Sequence, residues 1–239
     1  MNILIGIRRS LSDISEISVK KLDDYQYRKK LSSEIDWIYT TTTPAKKSVL
    51  KFKFIDYAPL VFYKLRNFHG ISEERYIKSL GPNQLINSIM SNDNKTLYEL
   101  CSSGQSGSLF YYTKDRRYMM KTIPEREFDK FRSVLKPYFE HMREYKDSLI
   151  SRFYGLHEVV WQGSDNKENV RYLVIMNNVF TDFATGVKFD LKGSVTGRTA
   201  LRDDQNLETL SAKQLKTALK DNDFRKHLKV VKLDELPSG

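Results

Sequence analysis

Along "VLKFKFIDY", residues 49–57, Leu50, Phe52 and Phe54 alternate with Lys51 and Lys53. A period of two predicts a strand with one wet face. The rhythm then changes: in "APLVFYKLRNFHG" Leu60, Phe62, Leu65 and Phe68 recur at helical spacing, with Pro59 in the first turn and Gly70 as a stop. "SEERYIKSL" predicts a short helix capped by Ser72. Further on, "SLFYYT" and "RYMMKTI", rich in aromatic and β-branched residues, flank the polar "KDRR" and predict an antiparallel hairpin. From Glu125 the period lengthens again, and Phe128, Phe131, Leu135 and Tyr138 mark an amphipathic helix lying against the sheet. "VVW" at 159–161 and "VRYLVIM" at 170–176 predict a second hairpin about the polar "WQGSDNKEN". "YTTTTPAKKS", 39–48, has a proline and no apolar period, which predicts a loop. Together these elements imply an α+β fold: an antiparallel sheet with helices packed on one side.

Composition changes the picture little. The chain has 239 residues, 40% hydrophobic and 29% charged, which is ordinary for a globular protein of one large domain or one and a half. Charge says more: a net +10 favours anionic partners, namely nucleotides, nucleic acid or an acidic membrane leaflet. The cations are spread along the chain with no recognised nucleic-acid motif, so no nucleic acid is expected as a partner. The opening "MNILIGIRRS" is too short for a secretory signal and no stretch is apolar enough to span a bilayer, which predicts a soluble chain. Cys101 is the only cysteine and has no histidine near it in sequence, so it reads as an incidental thiol in a reducing compartment. His69, His141, His157 and His227 lack metal-ligand spacing.

The candidate chemistry lies in two places. A strand entered through "GQSGS" offers backbone amides that no side chain obstructs, and glycine lets them approach a ligand, most often phosphate. The hairpin brings Lys121 back beneath Gly104 and Gly107, and the helix that follows supplies Glu125 or Glu127 to hold that lysine, with Glu127 preferred. Taken singly, the loop is a flexible turn and the lysine a solvated charge; their order is what argues for a nucleotide. The Walker pattern, which needs a lysine directly after the last glycine and then a helix, does not fit. In "KFDLKGSVTGR", 188–198, Asp190 and Lys192 stand at i and i+2 of an extended end, on one side of the chain. Such a pair can orient a phosphate and neutralise its charge. The bland alternative is a surface ion pair that contributes little.

In order along the chain, "SGQSGSLFYYTKD" resembles the glycine-rich loop and first hairpin of the phosphatidylinositol phosphate kinases, "MMKTI" their ATP-contacting lysine strand, "FYGL" the segment after their first long helix, "VIMNN" the hinge that borders adenine, and "DLKGS" a signature segment of their catalytic centre. "GIRRS", "YAPLVFYKLR", "YIKSLGP" and "LKDNDF" are similar to that family outside the site. The similarity runs over nearly all of 1–239 as a partial kinase domain. Residues 11–48 match weakly and are expected to be partly loop, 49–239 carry the core of the amino-terminal lobe, and 199–217 are again weak. The resemblance implies a protein-kinase-like lobe that moves the γ-phosphate of ATP, with Mg²⁺, onto an inositol ring hydroxyl of phosphatidylinositol monophosphate. Gly104, Ser106, Gly107 and Ser108 would cover the phosphates, and Lys121, held by Glu127, would grip the α- and β-phosphates. Met176, Asn177 and Asn178 would lie beside adenine. Asp190 and Lys192 would place the reacting phosphate. The implied setting is cytoplasmic, peripheral at the cytosolic face of anionic membranes, the plasma membrane above all; homodimerisation is left open.

One departure stands out. The family's "MDYSLL"-type catalytic segment, its "IID"-type metal-binding segment and the lipid-selecting loop have no counterpart here, and the chain stops at "KVVKLDELPSG". The expectation is therefore a truncated amino-terminal lobe, inactive alone, with its metal-binding residues and ring-position specificity undetermined. The alternative is a non-catalytic module that binds nucleotide or membrane as a scaffold.

Overall fold

The computed structural model describes residues 22–40, 47–80, 108, 110–113, 115–163, 165–179, 187–202, 205, 207, 210 and 218–228. They fall into two compact units, Met1–Thr181 and Asp182–Gly239.

The first described element of the first unit is a short helix, α1 (Asp24–Arg28), capped by the Asp23 carboxylate, which accepts the Gln26 N–H at 3.1 Å. β1 (Lys30–Thr40) and β2 (Lys47–Tyr57) form a long antiparallel pair, with Lys30 opposite Tyr57 and Thr40 opposite Lys47. Strand thus replaces the predicted loop at both of its ends, 39–40 and 47–48. The reason is that tyrosine and threonine suit a pleated surface, while β2 supplies the apolar alternation that sets the register. Glu34 stands opposite Lys53 and Asp36 opposite Lys51, so the wet face carries opposed charges.

Ala58 (φ 47) makes the corner into α2 (Pro59–Phe68), where Pro59 takes the first turn as expected. α3 (Glu73–Leu80) follows, with the Arg75 N–H donating to Ser72 Oγ at 3.3 Å. β3 (Phe110–Tyr112) and β4 (Tyr118–Ile123) make the first predicted hairpin, α4 (Glu125–Glu144) is the long helix, and β5 (Phe153–Gln162) and β6 (Glu168–Asn177) make the second hairpin. The six strands run in the order β1-β2-β5-β6-β4-β3, every neighbouring pair antiparallel.

Helices cover both faces of this sheet, not one. Leu173 and Ile175 join Phe52, Phe54, Tyr118 and Met120 on the face covered by α3 through Tyr76 and Leu80. Val174 joins Ile55, Tyr57 and Leu156 on the other, covered by α2 and α4 through Val61, Phe62, Leu65, Phe128, Leu135, Phe139 and Met142. The run Leu173–Val174–Ile175 explains why: an unbroken apolar stretch in a central strand has no wet face to offer. Each fully buried side chain of this kind contributes roughly 1.5–3 kcal/mol over its exposed state.

The second unit holds a small parallel pair, β7 (Phe189–Asp190) with β8 (Leu219–Lys220), and a helix, α5 (Asp221–Leu228). Phe189 packs edge-on against Phe224, their ring centroids 5.1 Å apart.

Candidate nucleotide and phosphate site

Register decides where Lys121 points. It stands opposite Phe110 on β3 and opposite Val174 on β6, and Val174 belongs to the core face covered by α4. Its Nζ lies 3.7 Å from Glu127 Oε2 on the first turn of α4 and 5.8 Å from the centre of the Phe110 ring. The lysine side chain is 27% exposed and the glutamate 56%, so a packed stem carries the ammonium to a wet rim. Glu125 is engaged elsewhere, its Oε1 accepting the Tyr172 hydroxyl at 3.4 Å. At 3.7 Å the Lys121–Glu127 contact is an ion pair longer than a charge-assisted hydrogen bond, which leaves the ammonium able to donate to an anion.

Of the residues expected to cover phosphate, Ser108 is buried, two positions before the start of β3. Gly104, Ser106 and Gly107 lie outside the described residues, as does Cys101.

Met176, Asn177 and Asn178 come together at the end of β6. Met176 is half-buried, opposite Met119 and Phe153. Asn177 exchanges two bonds with Arg152: its N–H donates to Arg152 O and its Oδ1 accepts the Arg152 N–H, both at 3.0 Å. Asn178 donates its N–H to Arg117 O at 2.9 Å and its Nδ2 to Arg116 O at 2.7 Å. These groups pin the strand end to its neighbours. Asn177 stands opposite Tyr118 and Val174 opposite Lys121, so three residue steps, about 10 Å along a strand, separate this end from the lysine.

The second unit organises the other candidates. Lys192 Nζ donates to both Asp190 oxygens at 2.8 Å, and the two side chains are well exposed. Arg198 donates to the Asp190 carbonyl, to its Oδ2 at 3.3 Å, and through Nε to Asp221 Oδ2 at 2.7 Å. Lys192 first, then Arg198, holds the Asp190 carboxyl below the ordinary carboxylate range.

Sequence reasoning placed "LKDNDF" outside the site, and the structure shows it to be the frame of the "DLKGS" loop. Asp221 Oδ1 accepts the N–H groups of Lys192 and Gly193 at 2.9 and 2.8 Å. The Arg198 bond, aided by these amides, holds the Asp221 carboxyl far below its usual range. Asp223 accepts the N–H groups of Ala200, Leu201 and Lys220 at 2.9, 3.2 and 2.9 Å. Asn222 Nδ2 reaches Val195 O and Thr199 Oγ1 at 2.9 and 3.0 Å. A usable signal was present: a glycine-bearing loop, "KGSVTGR", has amides to satisfy, and "DND" offers acceptors. Among the described residues, no group of three His, Cys, Asp or Glu side chains could hold a metal ion.

The family model described as phosphatidylinositol-4-phosphate 5-kinase matches residues 91–236. Phosphatidylinositol 4-phosphate 5-kinase of Plasmodium falciparum (isolate 3D7) is 35% identical over 217 residues, 90% of this chain and 12% of that protein. Phosphatidylinositol 4-phosphate 5-kinases 1 and 5 of Arabidopsis thaliana are 32% and 35% identical over 98% and 94% of this chain, and over 30% and 27% of their own lengths. The chain thus spans less than a third of each of these relatives. The matched stretch holds the Lys121–Glu127 pair, the end of β6 and the braced "DLKGS" loop, and on that match the chain belongs to the phosphatidylinositol-4-phosphate 5-kinase family.

Proposed function

We propose that the protein serves the transfer of the γ-phosphate of ATP to an inositol ring hydroxyl of phosphatidylinositol monophosphate. The observation that carries this is the Lys121–Glu127 pair: a strand lysine with a packed stem, 3.7 Å from a first-turn helix glutamate, its ammonium at a wet rim. In that position Lys121 neutralises the α- and β-phosphates while Glu127 limits where the ammonium swings. The spacing of about 10 Å between the end of β6 and Lys121 suits a nucleoside laid along the strands, base toward Met176–Asn178 and phosphates toward the lysine. Within the second unit, Lys192, aimed by both oxygens of Asp190, is a cation of the kind that offsets phosphate charge.

Mg²⁺ finds no ready cage in the described residues. The Asp190 carboxylate is committed to Lys192 and Arg198, and Asp221 to Arg198 and two amides. The net charge of +10 favours peripheral contact with anionic lipid, where each well-placed cation contributes about 1 kcal/mol.

The test is twofold: titration of the chain with a fluorescent ATP analogue, and transfer of label from γ-labelled ATP to vesicles containing phosphatidylinositol monophosphate. Lys121→Met should weaken nucleotide binding by roughly ten- to a hundredfold, the value of a charge-assisted hydrogen bond. Equal nucleotide affinity in parent and variant refutes the site. Transfer of label by the chain would refute the scaffold alternative.

A further inference from the structure

We infer that Arg66 and Tyr76 are positioning residues for the strand end Met176–Asn178, acting through one buried atom, the carbonyl oxygen of Tyr154. The inference rests on the reading of that strand end as the border of the nucleotide's base.

Three motifs outside the nucleotide site meet at this atom. "YAPLVFYKLR" ends in Arg66 on α2, "YIKSLGP" contributes its neighbour Tyr76 on α3, and "FYGL" carries Tyr154 on β5. Arg66 Nη1 donates to Tyr154 O at 2.7 Å, and the Tyr76 hydroxyl donates to the same oxygen at 3.3 Å. Both donors are buried, Arg66 4% and Tyr76 1% exposed, and the guanidinium carbon sits 4.5 Å from the centre of the Tyr76 ring. A buried guanidinium is costly to desolvate, so its placement on a ring face and a carbonyl needs a reason.

The reason is a break in the sheet. Between β5 and β6 the register passes from Phe153 opposite Met176 directly to Gly155 opposite Ile175, so Tyr154 is an extra residue. Such a bulge takes its extra residue out of the ladder, and a buried carbonyl left without a donor costs free energy. Arg66 and Tyr76 supply the donors. Gly155 makes room for them: a Cβ there would lie 2.5 Å from His157 Nε2 and 3.2 Å from the Tyr76 hydroxyl.

The bulge in turn sets where Phe153 and Arg152 fall. Arg152 is the residue whose backbone N–H and C=O hold Asn177. The Tyr118 ring braces the same corner, edge-on to Tyr76 at 5.3 Å and to Tyr154 at 5.7 Å, and Tyr118 stands opposite Asn177 in the β4–β6 ladder. The contacts therefore run without a gap from Arg66 through Tyr154 and Arg152 to Asn177. Register is discrete: loosening the bulge does not bend the strand end slightly but lets it slip to another pairing.

The experiment compares the full chain with Arg66→Met, Arg66→Lys and Tyr76→Phe, reading hydrogen exchange at the Asn177 and Asn178 amides, exchange at the opposed Asp36 and Lys51 of the β1–β2 pair, and affinity for ATP. The expected result is faster exchange at Asn177 in Arg66→Met with β1–β2 unchanged, and an ATP affinity lowered roughly 3- to 30-fold, the range for residues that act through a network. Arg66→Lys, whose ammonium still donates to the carbonyl, should recover much of both. Tyr76→Phe, which loses only the hydroxyl, should show the same local pattern at smaller size and stands in if Arg66→Met does not fold. Unchanged exchange at Asn177, or faster exchange spread evenly over the sheet, overturns the inference. A parent chain that binds no ATP sinks the nucleotide reading instead, while the exchange pattern still decides the clamp.

Discussion

Asp223 offers the sharpest test of how the segment that follows the "DLKGS" loop is held. Its carboxylate is 3% exposed and accepts three backbone N–H groups: Oδ2 takes Ala200 and Lys220 at 2.9 Å each, Oδ1 takes Leu201 at 3.2 Å. A hydrogen bond to a charged group contributes roughly 1.5–3 kcal/mol, and a buried donor left without a partner costs about 1–3. Two amides lie at ideal length and one is long, and bonds to one group do not add fully. Asp223→Ala should therefore cost about 3–5 kcal/mol in the segment it ties. Asp223→Asn can keep its oxygen toward the two short bonds and lose only the long one, so it should cost about 1–2 kcal/mol. Native-state hydrogen exchange at Ala200, Leu201 and Lys220 reads these costs directly. The reasoning fails if the alanine variant changes protection at the three amides by less than about 1 kcal/mol, or if asparagine proves as damaging as alanine.

Other predictions follow from single contacts. Lys121→Met should leave urea stability within about 1 kcal/mol of the parent, because the Lys121–Glu127 pair is half in solvent; a larger loss would mark a structural lysine. Leu65→Ala, at a site with no exposure between α2 and the sheet, should cost about 2–5 kcal/mol in denaturant unfolding. Asp221 has a folded pKa lowered chiefly by Arg198. Its stabilisation is therefore complete above the unfolded value of 3.8 and is lost as pH falls further, which amide chemical shifts at Lys192 and Gly193 should report. Arg198→Gln should shrink that acid dependence. Burial pushes the Tyr154 hydroxyl up to about 12, so what it contributes is present below pH 10 and lost as pH rises through 12, visible in an alkaline absorbance titration against Tyr154→Phe.

Much of the fold was legible in the sequence. β2 showed in the alternation of Phe52 and Phe54 with lysines, α2 in its Pro59 start, and α3 in its Ser72 cap, because each signal sits within a few consecutive residues. β1 was not legible. Its Glu34, Asp36 and Thr40 look like loop until β2 lies beside them, since an edge strand owes its form to its partner. Nor could periodicity decide which face of the sheet each helix covers. The candidate site divides in the same way. Lys121 and the two glutamates could be named and Glu127 preferred, but the reason that Glu125 turns away is tertiary: Tyr172 engages its carboxylate from β6. Asp221 and Asp223 escaped notice because all but one of the amides they hold lie 22 to 29 positions earlier, which sequence proximity does not show.

By itself, then, the chain order determined α2, α3, α4, the hairpins and the kinds of residue available for phosphate chemistry, since propensity, capping and periodicity act between near neighbours. Tertiary structure alone decided the pairing of β1, the two covered faces, the bracing of "DLKGS" and the meeting of Arg66 with the Tyr154 carbonyl across 88 positions. Those contacts arise from sheet register and burial, which bring together residues that no local pattern relates.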